Sequence, residues 1–172
     1  MRKHIIFFLL YLFLNTNLFA NENIINTISV DGIQRIDEET VISYANISKG
    51  DIYTDEIGNN ILKNLFDTNL FSNIQISFEV DILNIKIQEN PTINLVKFYG
   101  NSKIKDEDLV IEILLKERSV YSRSKVKKDI ERMLSLYQRA GRLSTEINPK
   151  LEMLDNNRVN LNYEITESDI AK

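Results

Sequence analysis

The sequence contains no cysteine and only one histidine, His4, which lies in its first ten residues. Without cysteine there is no disulfide framework and no thiolate nucleophile. We expect the segment around His4 to be removed, and the remaining chain then has no side chain for a Ser-His-Asp triad or a His/Cys zinc site. The sequence therefore predicts a protein that is not an enzyme, with no catalytic residue, no cofactor and no metal.

The sequence also lacks an apolar run of the length that a transmembrane helix needs, about 20 residues. The apolar run at residues 5–14 follows the basic pair Arg2-Lys3 and precedes Phe19-Ala20. This order is typical of a secretory signal, so residues 1–20 are predicted to be a signal peptide, with an uncleaved anchor as the alternative. Cleavage removes two basic residues and lowers the net charge from −4 to −6. An acidic, secreted chain without cysteine fits a bacterial periplasm and argues against nucleic acid as a partner.

Residues 69–91 indicate a β-hairpin followed by a break, and the rest of the chain is organised around this hairpin. Apolar residues alternate with polar ones in both arms, which is the periodicity of strands. A two-residue loop at Val80-Asp81 pairs the apolar residues with one another: Phe78 with Leu83, Ile76 with Ile85 and Ile74 with Ile87. All six then lie on one face, which needs helices to cover it.

The residues before this hairpin predict a leader, a strand and two helices. We expect residues 21–25 to be the leader and Asn26–Ile33 the strand, with helices that open near Asp37 and Thr54. Asn69 is expected to end the second helix in left-handed geometry, a role that glycine usually fills. The helix positions expected in the core are Val41, Ile42, Ala45, Ile57, Ile61, Leu65 and Phe66.

The order strand, helix, helix, strand, strand occurs twice. A shift of 68 residues places Gly32 on Gly100 and Ile61 on Asp129. We therefore interpret the chain as a tandem repeat. The core positions expected in the second pair of helices are Leu109, Ile113, Leu114, Val126, Ile130, Met133, Leu134 and Tyr137.

The second repeat has its own helix and turn signals. Ser122 is the expected N-cap of the long helix, and Gly141 is its expected left-handed end. A three-residue loop that ends at Asn157 then sets the register of the last hairpin. This register pairs Met153 with Val159, Leu151 with Leu161, and Ile147 with Ile165.

We expect two domains, residues 26–90 and 91–168, with residues 169–172 as the start of a continuation. The connector Glu89, Asn90 and Pro91 is the expected hinge. It is short, and the proline ring stiffens it. The two domains are therefore expected to articulate over a limited range.

Several short segments carry a resemblance to a known family. They are residues 30–32 (VDG) and 99–101 (YGN) at the ends of the first strands, residues 50–54 (GDIYT) before the first long helix, residues 69–74 (NLFSNI) and 137–141 (YQRAG) at the corners between helix and strand, and residues 89–91 (ENP) between the repeats. Their order and doubling resemble two consecutive POTRA domains of the BamA-type outer-membrane protein assembly factors. The resemblance covers residues 25–168, and the sequence departs from the family pattern at Asn69 and in the short first hairpin turn.

The resemblance implies an α+β fold of tandem units, each β-α-α-β-β, with a three-stranded mixed sheet and two helices on one face. It also implies a periplasmic scaffold that binds unfolded outer-membrane proteins and assembly lipoproteins. In the family a barrel attaches this scaffold to the outer membrane, and because no barrel lies in these 172 residues we expect a fragment or a truncated product. The alternatives are a transporter of the two-partner secretion or autotransporter-assembly type and a division-type POTRA protein.

The resemblance places the penultimate strand of each unit at a sheet edge, where a substrate strand adds by β-augmentation. Our hypothesis for these edges names Ile74, Ile76 and Phe78 in the first unit, and Ile147, Leu151 and Met153 in the second. The predicted registers point the backbone groups of all six outward. Pro149 belongs to the same outward set and has no N–H, so we expect the first edge to be open and Pro149 to guard the second.

Two further features have both a functional and a structural interpretation. The basic segment Arg118–Arg142 suits an acidic partner or anionic headgroups, but its interspersed carboxylates favour an ordinary solvated helix face. The carboxylate pairs Glu38-Glu39 and Glu107-Asp108 are expected to stabilise helix N-termini. Adjacent helical residues do not face each other, which argues against catalytic acid/base pairs.

Overall fold

A computed structural model describes residues 23–170, so the predicted signal peptide lies outside the described residues. Two units follow each other, and each has its own hydrophobic core. The first unit contains β1 (Thr27–Asp31), α1 (Glu38–Ala45), α2 (Asp55–Asp67), β2 (Phe71–Glu79) and β3 (Ile82–Glu89). The second contains β4 (Thr92–Tyr99), α3 (Asp106–Glu112), α4 (Arg123–Arg139), β5 (Glu146–Leu154) and β6 (Arg158–Thr166).

Each unit has a three-stranded mixed sheet, with strand order β1-β3-β2 in the first and β4-β6-β5 in the second. The hairpin arms are antiparallel, whereas the first strand of each unit pairs in parallel with the last. The α+β architecture of two similar units is therefore confirmed. Within residues 23–170, no helix combines the length and the apolar character that a membrane span requires.

Both hairpin registers are confirmed. In the first, Phe78 lies opposite Leu83 and Ile74 opposite Ile87, and in the second the partners are Met153 with Val159, Leu151 with Leu161 and Ile147 with Ile165. The first loop places both Val80 and Asp81 at positive φ, 49° and 62°, which is the backbone of a type I′ turn. The pattern of apolar residues and the loop length together specify the register because a slip by one residue exposes the whole apolar face.

The predicted helix ends are also confirmed. The Thr54 side chain accepts a hydrogen bond from the Ile57 N–H, and the Ser122 side chain accepts one from the Lys125 N–H. Asn69 follows α2 at φ 59°. Thr54 and Ser122 each satisfy one unpaired N–H at a helix start, and Asn69 adopts the left-handed backbone that ends a helix, as their residue types predict.

Two core assignments were wrong. Leu114 is 44% exposed and Leu115 is completely buried because α3 ends at Glu112 and the chain is already extended at Ile113, with φ −82° and ψ 147°. Alternation along an extended chain replaces helical spacing there and reverses the faces. Phe66 is 46% exposed at the end of α2.

The assignment of residues 21–25 to a leader was wrong for Ile25, which is completely buried in the first core. The Ile25 N–H donates to the Asp51 carbonyl and the Ile25 carbonyl accepts from the Gly50 N–H, both at 2.8 Å. The Tyr53 N–H also donates to the carbonyl of Asn23. The chain just before β1 is therefore part of the first unit, held by the turn between its helices.

Candidate functional site

The strands β2 and β5 each form one edge of their sheet, and β1 and β4 form the other edge. Strands β2 and β5 pair on one side only, with β3 and with β6 respectively, and no other strand within residues 23–170 pairs with their outer side. The backbone groups on that side are available to a further strand. The expectation that the penultimate strand of each unit lies at an edge is thus met.

The helix-facing side of the first edge is covered. Ile74 is 6% exposed, and the Phe78 ring stacks on the Tyr53 ring with centroids 4.7 Å apart and an interplanar angle of 11°. Ile76 is partly buried against the same core. An added strand would therefore find free backbone groups at this edge, but little free apolar surface.

The helix-facing side of the second edge is open toward the loop of the hairpin. Ile147 is buried, but Leu151 is 42% and Met153 66% exposed. Their partners on β6, Leu161 and Val159, are completely buried. The apolar side chains are therefore exposed on β5 and buried on β6. The alternating pattern of the sequence does not reveal this difference.

Pro149 occupies the place in the second edge that Ile76 occupies in the first. The glycines that follow the first strands show which residues of the two units are equivalent. A Cβ on Gly32 would lie 2.0 Å from the carbonyl oxygen of Ile87, and a Cβ on Gly100 would lie 2.1 Å from the carbonyl oxygen of Ile165. Ile87 pairs with Ile74, and Ile165 pairs with Ile147. Counting two residues onward from these equivalent positions leads to Ile76 and to Pro149.

A buried carboxylate joins the end of β3 to the loop between β1 and α1. Glu89, the last residue of β3, is 2% exposed, and its Oε1 accepts from the backbone N–H groups of Gln34, Arg35 and Ile36 at 2.8, 2.9 and 3.1 Å. Its Oε2 accepts from Arg35 Nε at 2.9 Å. Burial on its own would raise the pKa of Glu89, but these donors to the charged form outweigh burial and hold the pKa below its usual value.

Glu167 repeats this arrangement in the second unit. Its carboxylate accepts from the N–H groups of Lys103, at 2.9 Å, and Ile104, at 3.4 Å. The hydroxyls of Ser102 and Tyr137 also donate to it, at 2.8 and 3.0 Å. Again burial acts to raise the pKa of Glu167 and the hydrogen bonds lower it below its usual value. Each unit thus uses a carboxylate at the end of its last strand to fix the loop after its first strand.

Asn69 connects the two units through its side chain. Its Oδ1 accepts from the hydroxyls of Ser122 and Ser124, both at 3.0 Å. Ser122 is also the N-cap of α4. The corner of the first unit is therefore bonded directly to the start of the main helix of the second, and this gives a reason for asparagine at a position where glycine is usual.

The predicted hinge is hydrogen-bonded on both sides. The Asn90 N–H donates to the Leu70 carbonyl, and the Tyr121 N–H donates to the Pro91 carbonyl. The carbonyl of Glu89 accepts from the Asn157 side chain in the last hairpin loop at 3.1 Å. Of these three bonds, only the one from Asn157 to Glu89 joins the two units, so a large articulation at residues 89–91 has to break it. The hinge motion itself stays a prediction.

Asp129 is completely buried in the second core. Its carboxylate accepts from the N–H groups of Leu114 and Leu115 at 2.5 and 3.1 Å, and from the Tyr163 hydroxyl at 3.1 Å. Burial first and the nearby carboxylate second raise the pKa of Tyr163. The contacts are those of a structural group, and no cluster of three or more His, Cys, Asp or Glu side chains within residues 23–170 is arranged to hold a metal ion.

The basic segment around α4 is partly neutralised by its neighbours. Glu112 accepts from Arg139 at 3.1 Å and lies 3.7 Å from Arg132. Lys127 and Glu131 are 3.9 Å apart, and both are largely exposed. Exposed pairs of this kind are worth about 0–1 kcal/mol, and the arrangement is that of a solvated helix face.

Sequence reasoning missed the contacts that join distant segments. Neither Arg35 nor Asp129 belongs to a motif, and no local pattern indicates their partners. Asn69 did carry a signal, since it departs from the glycine expected at that corner.

Comparison with known proteins identifies the units. Residues 91–168 match the sequence profile of the POTRA family, described as a surface antigen variable number repeat. The outer membrane protein assembly factor BamA of Neisseria meningitidis serogroup B is 28% identical over 152 residues, which is 86% of this chain and 19% of that protein. The chain has the fold of tandem POTRA domains and is similar in sequence to assembly factors of the BamA type. BamA of Neorickettsia risticii is 27% identical over 91% of the chain and 21% of its own length.

Solved structures share the POTRA fold. The first two POTRA domains of the periplasmic domain of Omp85 from Anabaena superpose with a TM-score of 0.56 at 16% identity, covering 86% of this chain and 97% of that one. The N-terminal domain of Omp85 from Thermosynechococcus elongatus gives a TM-score of 0.61 at 15% identity, covering 81% and 61%. The chain spans about a fifth of the length of the curated BamA relatives described above.

Proposed function

We propose that the two POTRA units are the periplasmic receiving domains of an outer-membrane protein assembly factor. On this proposal, unfolded outer-membrane proteins bind in extended form along β2 and β5, and partner lipoproteins dock on the outer faces of the units. A barrel in the complete protein attaches them to the outer membrane. The relatives named as assembly factors and the tandem fold support this function.

The observation that carries the proposal is the free outer side of β2 and of β5, the antiparallel edge strand of each sheet. Main-chain hydrogen bonds to an added strand require no particular sequence, and side chains on alternate positions add selectivity. Strands of outer-membrane barrels alternate apolar and polar residues. Such a strand matches an edge that has helices on one side and solvent on the other.

The test is a titration of the isotope-labelled protein with a synthetic peptide of alternating apolar and polar residues, followed by amide chemical shifts. We expect the largest shifts in Ile74–Phe78 and in Leu151–Leu154. A control peptide with proline at alternate positions cannot donate the required hydrogen bonds and should not bind. Equal binding of both peptides, or shifts confined to residues away from both edges, would contradict the proposal.

A further inference from the structure

Three exposed apolar side chains from different units line one cleft at the junction. Phe66 belongs to the first unit and is 46% exposed, while Leu151 and Met153 belong to the second and are 42% and 66% exposed. The cleft has a volume of about 440 Å³, which lies within the range of about 300–1,000 Å³ that is common for ligand sites. Neither unit contributes the whole apolar lining.

The cleft is continuous with the free edge of β5. Leu151 and Met153 belong to that edge, beyond Pro149 on the side of the hairpin loop. Their outward N–H groups are available to an added strand, because the missing N–H of Pro149 affects only the half of β5 that lies before them. An added strand would carry side chains at alternate positions on the same side as Leu151 and Met153, and so toward the cleft.

The rim of the cleft has a positive charge. Arg123 lies in its lining and takes part in none of the ion pairs found within residues 23–170. The second unit as a whole, residues 91–168, has fourteen basic and twelve acidic side chains, whereas residues 23–90 have four and eleven. The net charge is thus +2 in the second unit and −7 in the first, so electrostatic repulsion of a bound carboxylate is weaker at the second unit.

We propose that this cleft binds an extended segment of an unfolded outer-membrane protein through both units at once. The segment pairs with Leu151–Leu154, inserts apolar side chains among Leu151, Met153 and Phe66, and places an acidic side chain near Arg123. This inference rests on the proposed function and adds to it a composite site, in which Phe66 of one unit contributes to binding at the edge of the other.

The test compares binding of a fluorescent peptide, with alternating apolar residues and one aspartate, to the unaltered protein and to single variants. We expect Phe66→Ser and Met153→Ser each to weaken binding about tenfold, the equivalent of about 1.4 kcal/mol. Tyr44→Ser and Ile111→Ser are matched controls because both side chains are exposed, at 43% and 74%, outside the cleft lining. Circular dichroism checks that all four variants fold.

The outcomes separate the two proposals. Binding by Phe66→Ser that equals binding by Tyr44→Ser overturns the composite cleft and leaves binding at the sheet edges standing. A failure of the unaltered protein to bind the peptide overturns both. Replacing the aspartate of the peptide with lysine should weaken binding to the unaltered protein, and unchanged affinity would contradict the role of Arg123.

Discussion

The two units have the same fold but different chemistry at equivalent core positions. Ile61 packs in the first core with 1% exposure, and Asp129, which is 68 residues later, is completely buried in the second. The difference follows from the helices in front of them, because α3 ends at Glu112 and the extended residues after it need a hydrogen-bond acceptor. A repeat can therefore keep its shape while a buried carboxyl group replaces an apolar contact, provided that every donor around it is satisfied.

The edges differ in a complementary way. In the first unit the side chains of the edge are covered and its outward N–H groups are uninterrupted, with Ile76 where the second edge has Pro149. The second edge loses one N–H but exposes Leu151 and Met153. On the proposed function, we expect the first edge to bind mainly through backbone hydrogen bonds and the second through apolar side chains as well.

The largest effect is expected from Asp129→Ile, which places in the second core the residue type that Ile61 provides at the equivalent position of the first. It leaves the donors of Leu114, Leu115 and Tyr163 without an acceptor, and at about 1–3 kcal/mol for each of these three groups we expect a loss of about 3–9 kcal/mol. Urea unfolding with probes in each unit measures it. A stable second unit in this variant would mean that the buried carboxylate is not needed.

In the first unit, Ile61→Ala should cost about 2–5 kcal/mol because it leaves a cavity in a fully packed core. The control, Lys127→Ala, removes a side chain that is 81% exposed and should change the free energy of unfolding by less than about 0.5 kcal/mol. Equal losses in the two variants would show that the assignment of the helix faces is wrong.

The Glu89 carboxylate should make stability depend on pH. Its pKa is lower in the folded protein than the ordinary value of 4.5, so the unfolded chain binds more protons between these two values. The contribution of Glu89 to the free energy of unfolding is complete above pH 4.5 and is lost as the pH falls through the lower pKa of the folded protein.

Glu89→Gln should therefore cost about 1.5–3 kcal/mol at neutral pH and show a smaller loss on acidification than the unaltered protein. Glu79→Gln is the matched control, because Glu79 is exposed at the end of β2. Chemical denaturation at neutral and acidic pH measures both variants. Identical pH dependence in the unaltered protein and Glu89→Gln would refute the role of this carboxylate.

A smaller effect on stability, but a clear one on motion, is expected from Asn69→Gly. Glycine adopts the left-handed backbone without strain, so the free energy of unfolding should change by less than about 1 kcal/mol. The variant loses the bonds to Ser122 and Ser124, and nitrogen relaxation should then report more independent tumbling of the units. Asn46→Gly is the control, since Asn46 has φ 55° and caps α1 through its backbone. The same tumbling in both variants would exclude Asn69 as a link between units.

Local signals predicted much of this fold from the sequence. Alternation and loop length specified both hairpin registers, and the capping residues Thr54 and Ser122 marked the helix starts, because each of these effects acts between near neighbours. The sequence did not predict that Asp129 accepts from the loop after α3, or that Met153 is exposed. Alternation tells which face a side chain occupies, but coverage of that face depends on elements far away in the chain.

The candidate site was predicted to a similar extent. The six edge residues lie on the edge strands where the hypothesis placed them, and Glu89, Asn90 and Pro91 lie between the units. Their binding and their motion stay predictions. The junction contacts of Asn69 and the apolar cleft beside it depend on how the units meet, and no short-range pattern encodes that arrangement.

An exchange of edge residues at the equivalent positions Ile76 and Pro149 tests most directly whether the sheet edges bind extended chains. By the count from the hairpin loop, the N–H of residue 76 points outward, so Ile76→Pro should keep the pairing of β2 with β3 and remove the peptide-induced amide shifts at Ile74 and Gln75, in the half of β2 that precedes residue 76. Ile76→Ala, which loses the side chain but keeps the N–H, should retain them. Pro149→Ile should extend the shifts of β5 from Leu151–Leu154 back to Ile147. Peptide binding along β2 that is equal in Ile76→Pro and Ile76→Ala would contradict the account.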